Sequence, residues 1–126
     1  MNIQLVADNS ALINHANSGN KSMVVCNTSD LIENSGICAL VDDQQVAIFY
    51  LPRTEQKIFA VSNWDPIGKA NVISRGIVGD IKGTVVVASP LYKHHFNLQT
   101  GACLEDATCK LDTFNIKIDD DKVIID

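Results

Sequence analysis

From residue 22 onward the chain is a succession of short apolar runs separated by turn-forming residues. SMVVC, GICALV, QQVAIFYL, KIFAVS, TVVVA, HHFNL, DTFNIKI and KVIID are rich in Val, Ile and Phe, residues that suit a pleated, partly buried surface. Each run is long enough for a strand and short for a globular helix. Alternation is clearest in DTFNIKI, where Phe114, Ile116 and Ile118 share one face while Asn115 and Lys117 share the other, as a half-buried strand requires. Asp42-Asp43, Pro52 to Gln56, Lys82-Gly83, Gln99-Thr100-Gly101 and Asp119-Asp120-Asp121 supply the intervening turns. The pattern predicts an all-β domain, a small antiparallel sandwich or barrel. Only TSDLIENSG, with Thr28 or Ser29 as N-cap, predicts a short helix in the body of the chain.

The first 22 residues read differently. They are polar and rich in Asn, and no apolar stretch in them exceeds three residues, so they carry neither a signal-peptide core nor a membrane span. Asn9, Asn14, Asn17, Ser18, Gly19 and Asn20 favour turns, with a marginal helix over Ala7 to Ala16. We take residues 1–22 as an extension outside the core, residues 23–126 as the domain, and the cytoplasm as the compartment.

With 126 residues the chain holds one core. Ten Lys and Arg against fifteen Asp and Glu give a net charge of −5. The cations are scattered, which argues against a nucleic-acid interface, because such a surface needs a basic face to neutralise phosphates. The four cysteines, Cys26, Cys38, Cys103 and Cys109, form no CxxC pair. Free, mostly buried thiols are expected rather than a zinc site.

One region departs from the succession of strands. NWDPIGKANVISRGIVGDIKG, between KIFAVS and TVVVA, has little clean periodicity and is long for a connection in a compact domain. It shares a feature with SPLYKHHF: each follows a strand and carries a small or acidic residue before proline, Asp65-Pro66 and Ser89-Pro90. This layout resembles the Rieske iron–sulfur domain, in which a Cys-x-His loop and a Cys-x-x-His loop jointly hold a [2Fe–2S] cluster. Phe96, Leu98 and Gly101 match the strand and turn that follow the second loop in that family. The ligands do not match: Asp65 and Ser89 stand at the cysteine positions, Ile67 and Tyr92 at the histidine positions. Isoleucine has no donor atom, so a Rieske cluster is not expected here. His94 and His95, adjacent at the start of a strand, should point to opposite faces. A mononuclear site of Asp65, Tyr92 and one histidine is the weak residual metal reading.

A narrower resemblance covers residues 23 to 126. Asp65-Pro66, Ala70, Val72, Ser74-Arg75-Gly76 and Asp80 follow one pattern, and Ser89-Pro90-Leu91, Lys93, Phe96, Leu98, Gly101, Cys103 and Glu105-Asp106 follow another. Both are similar to the small subunit of the cytoplasmic NAD(P)H-dependent nitrite reductase. That resemblance implies a Rieske-like fold with two extended former cluster loops, no catalytic residue and no cofactor in this chain. It also implies a partner, a large subunit carrying FAD, iron–sulfur and sirohaem groups that reduces nitrite to ammonium.

The loop tips offer partner-binding candidates: Trp64, Ile67, Tyr92 and Lys93. Aromatic and apolar side chains on a loop tip have the composition of an interface hot spot. The competing reading is that Trp64 and Ile67 plug the space a cluster would fill. Arg75 is expected to bridge to Asp80 or Asp65. A Rieske-type ferredoxin serving an oxygenase is the alternative function, set against the four missing ligands. A free-standing enzyme finds no recognisable catalytic constellation, and Asp119 to Asp121 reads as a hairpin turn rather than a calcium loop.

Overall fold

The computed structural model describes residues 4–6 and 22–126. The expected helix over residues 7–16 lies outside them. The described residues form thirteen strands and two single 3₁₀ turns, in agreement with the all-β expectation. Strands β1 (Gln4–Val6), β2 (Met23–Asn27), β3 (Ser35–Val41), β4 (Gln44–Tyr50) and β5 (Ile58–Ser62) are followed by two short strands, β6 (Trp64–Asp65) and β7 (Ala70–Asn71). Next come β8 (Ile77–Ile81), β9 (Thr84–Ala88), β10 (His95–Asn97), β11 (Thr113–Phe114), β12 (Ile116–Asp119) and β13 (Lys122–Ile125).

The central sheet has the order β1-β3-β4-β5-β11. Its middle strands are covered on both faces, and that explains their near-continuous apolar runs. Val46 and Ile48 of β4, with Ile58 and Ala60 of β5, pack against Met23, Val25, Val123 and Ile125 from the β12-β13-β2 sheet. Ala47, Phe49, Phe59 and Val61 face the other way, onto Val87, Phe96 and Leu98 from the β10-β9-β8 sheet and its following turn. The domain therefore has three β layers and two cores.

The tight turns form where the sequence places them. Asp42 and Asp43 adopt φ of 47° and 65° between β3 and β4, and Lys82 and Gly83 adopt 52° and 85° between β8 and β9. Two consecutive left-handed residues suit a two-residue hairpin, whose twist then matches the strands.

Three sequence readings change. DTFNIKI is two strands: Phe114 pairs with Ala60 of β5, whereas Ile116 pairs with Ile125 of β13, and the chain crosses between layers at Asn115. Phe114 and Ile116 face inward as the alternation requires, but Ile118 is exposed. In TSDLIENSG only a 3₁₀ turn forms, Thr28–Asp30, and it is preceded by Asn27, whose backbone N–H donates to the Asp30 carboxylate at 2.9 Å. Within the polar extension, Gln4–Val6 pairs in parallel with β3, Leu5 opposite Ala39, and adds an edge strand to the central sheet. No helix among the described residues is long and apolar enough to cross a membrane.

Candidate functional site

The irregular excursion after β5 resolves into a small hairpin, a turn and a strand. Asp65 closes β6, residues 66–69 turn, and β7 returns with Ala70 opposite Asp65. The second loop leaves β9 at Ser89, turns through residues 90–93 and re-enters the same sheet at His95, opposite Ala88. Tyr92 and Lys93 take φ of 56° and 57°, and the loop is closed by the Ser89 N–H donating to the His94 carbonyl at 2.9 Å.

The two loops meet at the residues the sequence singled out. Asp65 and Ser89 are fully buried, 0% and 1% exposed. The Ser89 hydroxyl donates to Asp65 Oδ2 at 2.5 Å, while Asp65 Oδ1 accepts the backbone N–H groups of Ile67 at 2.8 Å and Gly68 at 3.0 Å. Ser89 Oγ in turn accepts the Leu91 N–H at 3.2 Å. Each loop is thus folded around its own first residue, and one hydrogen bond joins them. Gly68 allows the close approach: a Cβ there would lie 2.7 Å from Leu91 Cδ1.

The apolar candidates divide. Ile67 is half-buried and packs against the second core. Trp64 is 46% exposed and Tyr92 75% exposed, and Lys93 is exposed beside Tyr92.

The first loop is held from behind by a residue that sequence reasoning overlooked. Asn63, 2% exposed, accepts the Ser74 N–H on Oδ1 at 2.7 Å and donates from Nδ2 to Gln45 Oε1 at 3.0 Å. Its own backbone carbonyl accepts the Ile73 N–H at 3.1 Å. The amide thereby pins the Ile73–Arg75 turn to the stem of the loop. Its only sequence signal is a polar residue between an apolar run and the Trp-Asp-Pro motif. Arg75 does not play the bridging part expected of it. It is exposed, and neither Asp65 nor Asp80 forms an ion pair with it; the Asp80 carboxylate instead accepts the Gly83 N–H at 2.8 Å.

Of the two histidines only His95 lies in β10; His94 precedes it. His95 Nδ1 lies 2.6 Å from Glu105 Oε2, and Glu105 Oε1 accepts the His95 N–H at 2.8 Å. Partial burial pushes the Glu105 carboxyl up, but these bonds and the histidine charge outweigh it and leave Glu105 below its usual range. His94 Nδ1 is shielded from solvent with no hydrogen-bond partner among the described residues.

The residues at the former ligand positions do not fit an iron–sulfur cluster. Such a cluster needs thiolates, or thiolates and imidazoles. Here both oxygens of Asp65 are engaged by protein donors, Ser89 is spent on Asp65 and Leu91, and Ile67 has nothing to donate. Nor does the structure assemble the mononuclear alternative: Asp65 is buried, Tyr92 lies on the surface and His95 is tied to Glu105. Among the described residues no group of three or more His, Cys, Asp and Glu side chains is placed to hold a metal ion.

Two loops projecting from neighbouring strand connections of a three-layered β domain define the class. Residues 22–126 match the family described as the Rieske-like [2Fe-2S] domain. The nitrite reductase (NADH) small subunit of Escherichia coli K12 is 38% identical over 96 residues, covering 76% of this chain and 88% of the relative. The solution structure of the E. coli protein NirD superposes with a TM-score of 0.73 at 36% identity, covering 82% of this chain and 96% of that one. A Klebsiella oxytoca protein, the nitrite reductase [NAD(P)H] large subunit, is 31% identical over 99 residues, or 79% of this chain and 10% of that protein. The chain belongs to the family of NAD(P)H nitrite reductase small subunits, which have a Rieske-like domain.

Proposed function

We infer that this chain is a cluster-free accessory subunit of a cytoplasmic nitrite reductase. On this reading it binds a large subunit that carries FAD, iron–sulfur and sirohaem groups and reduces nitrite to ammonium with electrons from NAD(P)H. The observation that carries the reading is the pair of tip loops, kept in shape by Asp65 and Ser89 without metal donors, with Trp64 and Tyr92 held at the surface. A docking surface needs that shape and those side chains; it does not need the cluster. The Klebsiella relative supports the partner, because there a segment similar to this domain lies within the chain of a large subunit. Docking is through Trp64, Tyr92 and Lys93, with Ile67 supporting the first loop from inside.

Isothermal titration calorimetry of the large subunit with this chain tests the reading. Trp64→Ala or Tyr92→Ala should weaken association by about 2 kcal/mol or more if either is a buried anchor, whereas Asp121→Ala on the β12–β13 hairpin should leave it unchanged. Folding of each variant is checked beforehand by circular dichroism. Full affinity in both aromatic variants would move the interface elsewhere, and full NAD(P)H-dependent nitrite reduction by the large subunit alone would make this chain dispensable. The alternative, a Rieske-type ferredoxin for an oxygenase, requires a donor set that these loops lack.

A further inference from the structure

Cys103 and Cys109 flank residues 104–108, the loop closed by an isolated antiparallel bridge. Ala102 bridges to Lys110, flanked by Leu111 N–H donating to the Gly101 carbonyl at 2.8 Å and Cys103 N–H donating to the Cys109 carbonyl at 3.3 Å. Stepping one residue along each strand sets Cys103 directly opposite Cys109. Ala102 and Lys110 are exposed, so the cysteines share the inward face, and both pack against the second core with Phe96 and Leu111. The Cys109 N–H donates to the Asp106 carbonyl at 3.1 Å, so a single backbone bond joins the cysteine pair; residues opposed across antiparallel strands have Cα atoms roughly 4.5–5.5 Å apart, inside the range of roughly 4.4–6.8 Å that a disulfide spans. The two thiols differ in access: Cys103 is buried and Cys109 half-buried.

We propose that Cys103 and Cys109 are a redox modification site, forming a reversible intrachain disulfide by exchange with a small-molecule disulfide of the glutathione class. The accessible Cys109 thiolate attacks one sulfur of the reagent, making a mixed disulfide and releasing one thiol. The Cys103 thiolate then attacks the Cys109 sulfur, closing the protein disulfide and releasing the second thiol. Two protein thiols are oxidised, one reagent disulfide is reduced, and the two cysteine protons end on the released thiols. Burial raises the Cys103 thiol above its ordinary range, which leaves Cys109 to begin the exchange and Cys103 to resolve it.

The position gives the bond a consequence. The closed loop contains Glu105, which accepts the His95 N–H and pairs with its imidazole, and the preceding His94 carbonyl accepts the Ser89 N–H. Oxidation would fix the acidic loop beneath the second tip loop. Such short cross-strand bonds are strained and hence readily reduced, as a switch in a reducing compartment needs.

The test exposes the full chain, under native conditions, to oxidised glutathione, then quenches with acid, alkylates in denaturant and digests with trypsin. Peptide 94–110 contains Cys103 and Cys109, and peptide 22–53 contains Cys26 and Cys38. The expected result is that peptide 94–110 loses two hydrogens and takes no alkyl group while peptide 22–53 takes two. Dithiothreitol should restore both thiols of peptide 94–110, and the midpoint of thermal unfolding should be higher in the oxidised form. In Cys103→Ser the glutathione should remain on Cys109. Stable glutathione on Cys109 of the native chain without ring closure, two alkylated thiols after exposure, or a disulfide that forms only in urea would each overturn the proposal.

Discussion

Ser89 Oγ lies 2.5 Å from Asp65 Oδ2, with both residues buried, and this one hydrogen bond links the two loops of the tip. A hydroxyl donating to a carboxylate is among the stronger hydrogen bonds, and burial makes an unpaired partner costly. Ser89→Ala removes the donor and leaves Asp65 Oδ2 facing a void. The expected loss is about 1.5–3 kcal/mol of stability, measured by urea unfolding. Asp65→Asn, which keeps an acceptor for the loop amides, should cost less than Asp65→Ala.

Purified protein should be colourless and contain no stoichiometric iron or acid-labile sulfide, because Asp65, Ile67, Ser89 and Tyr92 offer no thiolate or imidazole. Metal analysis and the visible absorption spectrum check this. A Rieske-type band with near two irons per chain would sink the cluster-free reading.

Asn63→Ala deletes the acceptor of the Ser74 N–H and the donor to Gln45 together. Loss of such buried bonds should destabilise the domain by about 1–3 kcal/mol. Amide hydrogen exchange should then rise first at Ser74 and its neighbours, before the β12–β13 hairpin responds. Uniform acceleration throughout the chain would argue against a local role for Asn63.

Gly101 has φ of 82°, and a Cβ there would collide with the Leu111 carbonyl oxygen. Strain from the left-handed conformation alone is about 1–3 kcal/mol, and the segment carrying Leu111 must also move. Gly101→Ala should therefore lower the thermal midpoint, whereas Gly79→Ala, where a Cβ meets nothing within 4 Å, should change it little.

Cys26 should be the least reactive thiol in the native protein. Burial, reinforced by the charge of Asp30, pushes its pKa from 9.0 to about 12, so the folded state holds the proton that the unfolded state releases near 9. Stability contributed by this group is complete below pH 9 and declines as pH rises from about 9 toward 12. A thiol reagent at pH 8 should label Cys109 first, with Cys26 reacting only on unfolding, when freshly reduced protein should give four equivalents. A Cys26 that reacts as quickly as Cys109 in the folded state would refute the assignment.

The β class and most of the strands follow from local pattern, because runs such as QQVAIFYL carry their own reason: β-branched and aromatic residues between turn formers. It also located the tip, since Asp65-Pro66 and Ser89-Pro90 stand in a recognisable framework and lack every ligand it calls for. Hairpin turns at Asp42-Asp43 and Lys82-Gly83 were legible for the same reason, being set by local backbone preference. Which residues face one another depends on how the layers pack. Local pattern makes DTFNIKI one strand, but competition between two sheets for its edges divides it at Asn115. The parallel pairing of Gln4–Val6 depends on a free edge of β3 that nothing near residue 4 reveals. Spacing could not tell which loop side chains are covered; packing half-buries Ile67 and leaves Trp64 and Tyr92 exposed. The Asn63 contacts with Gln45 and the Ser89–Asp65 bond rest on long-range register, and register is fixed by how whole layers bury their apolar faces.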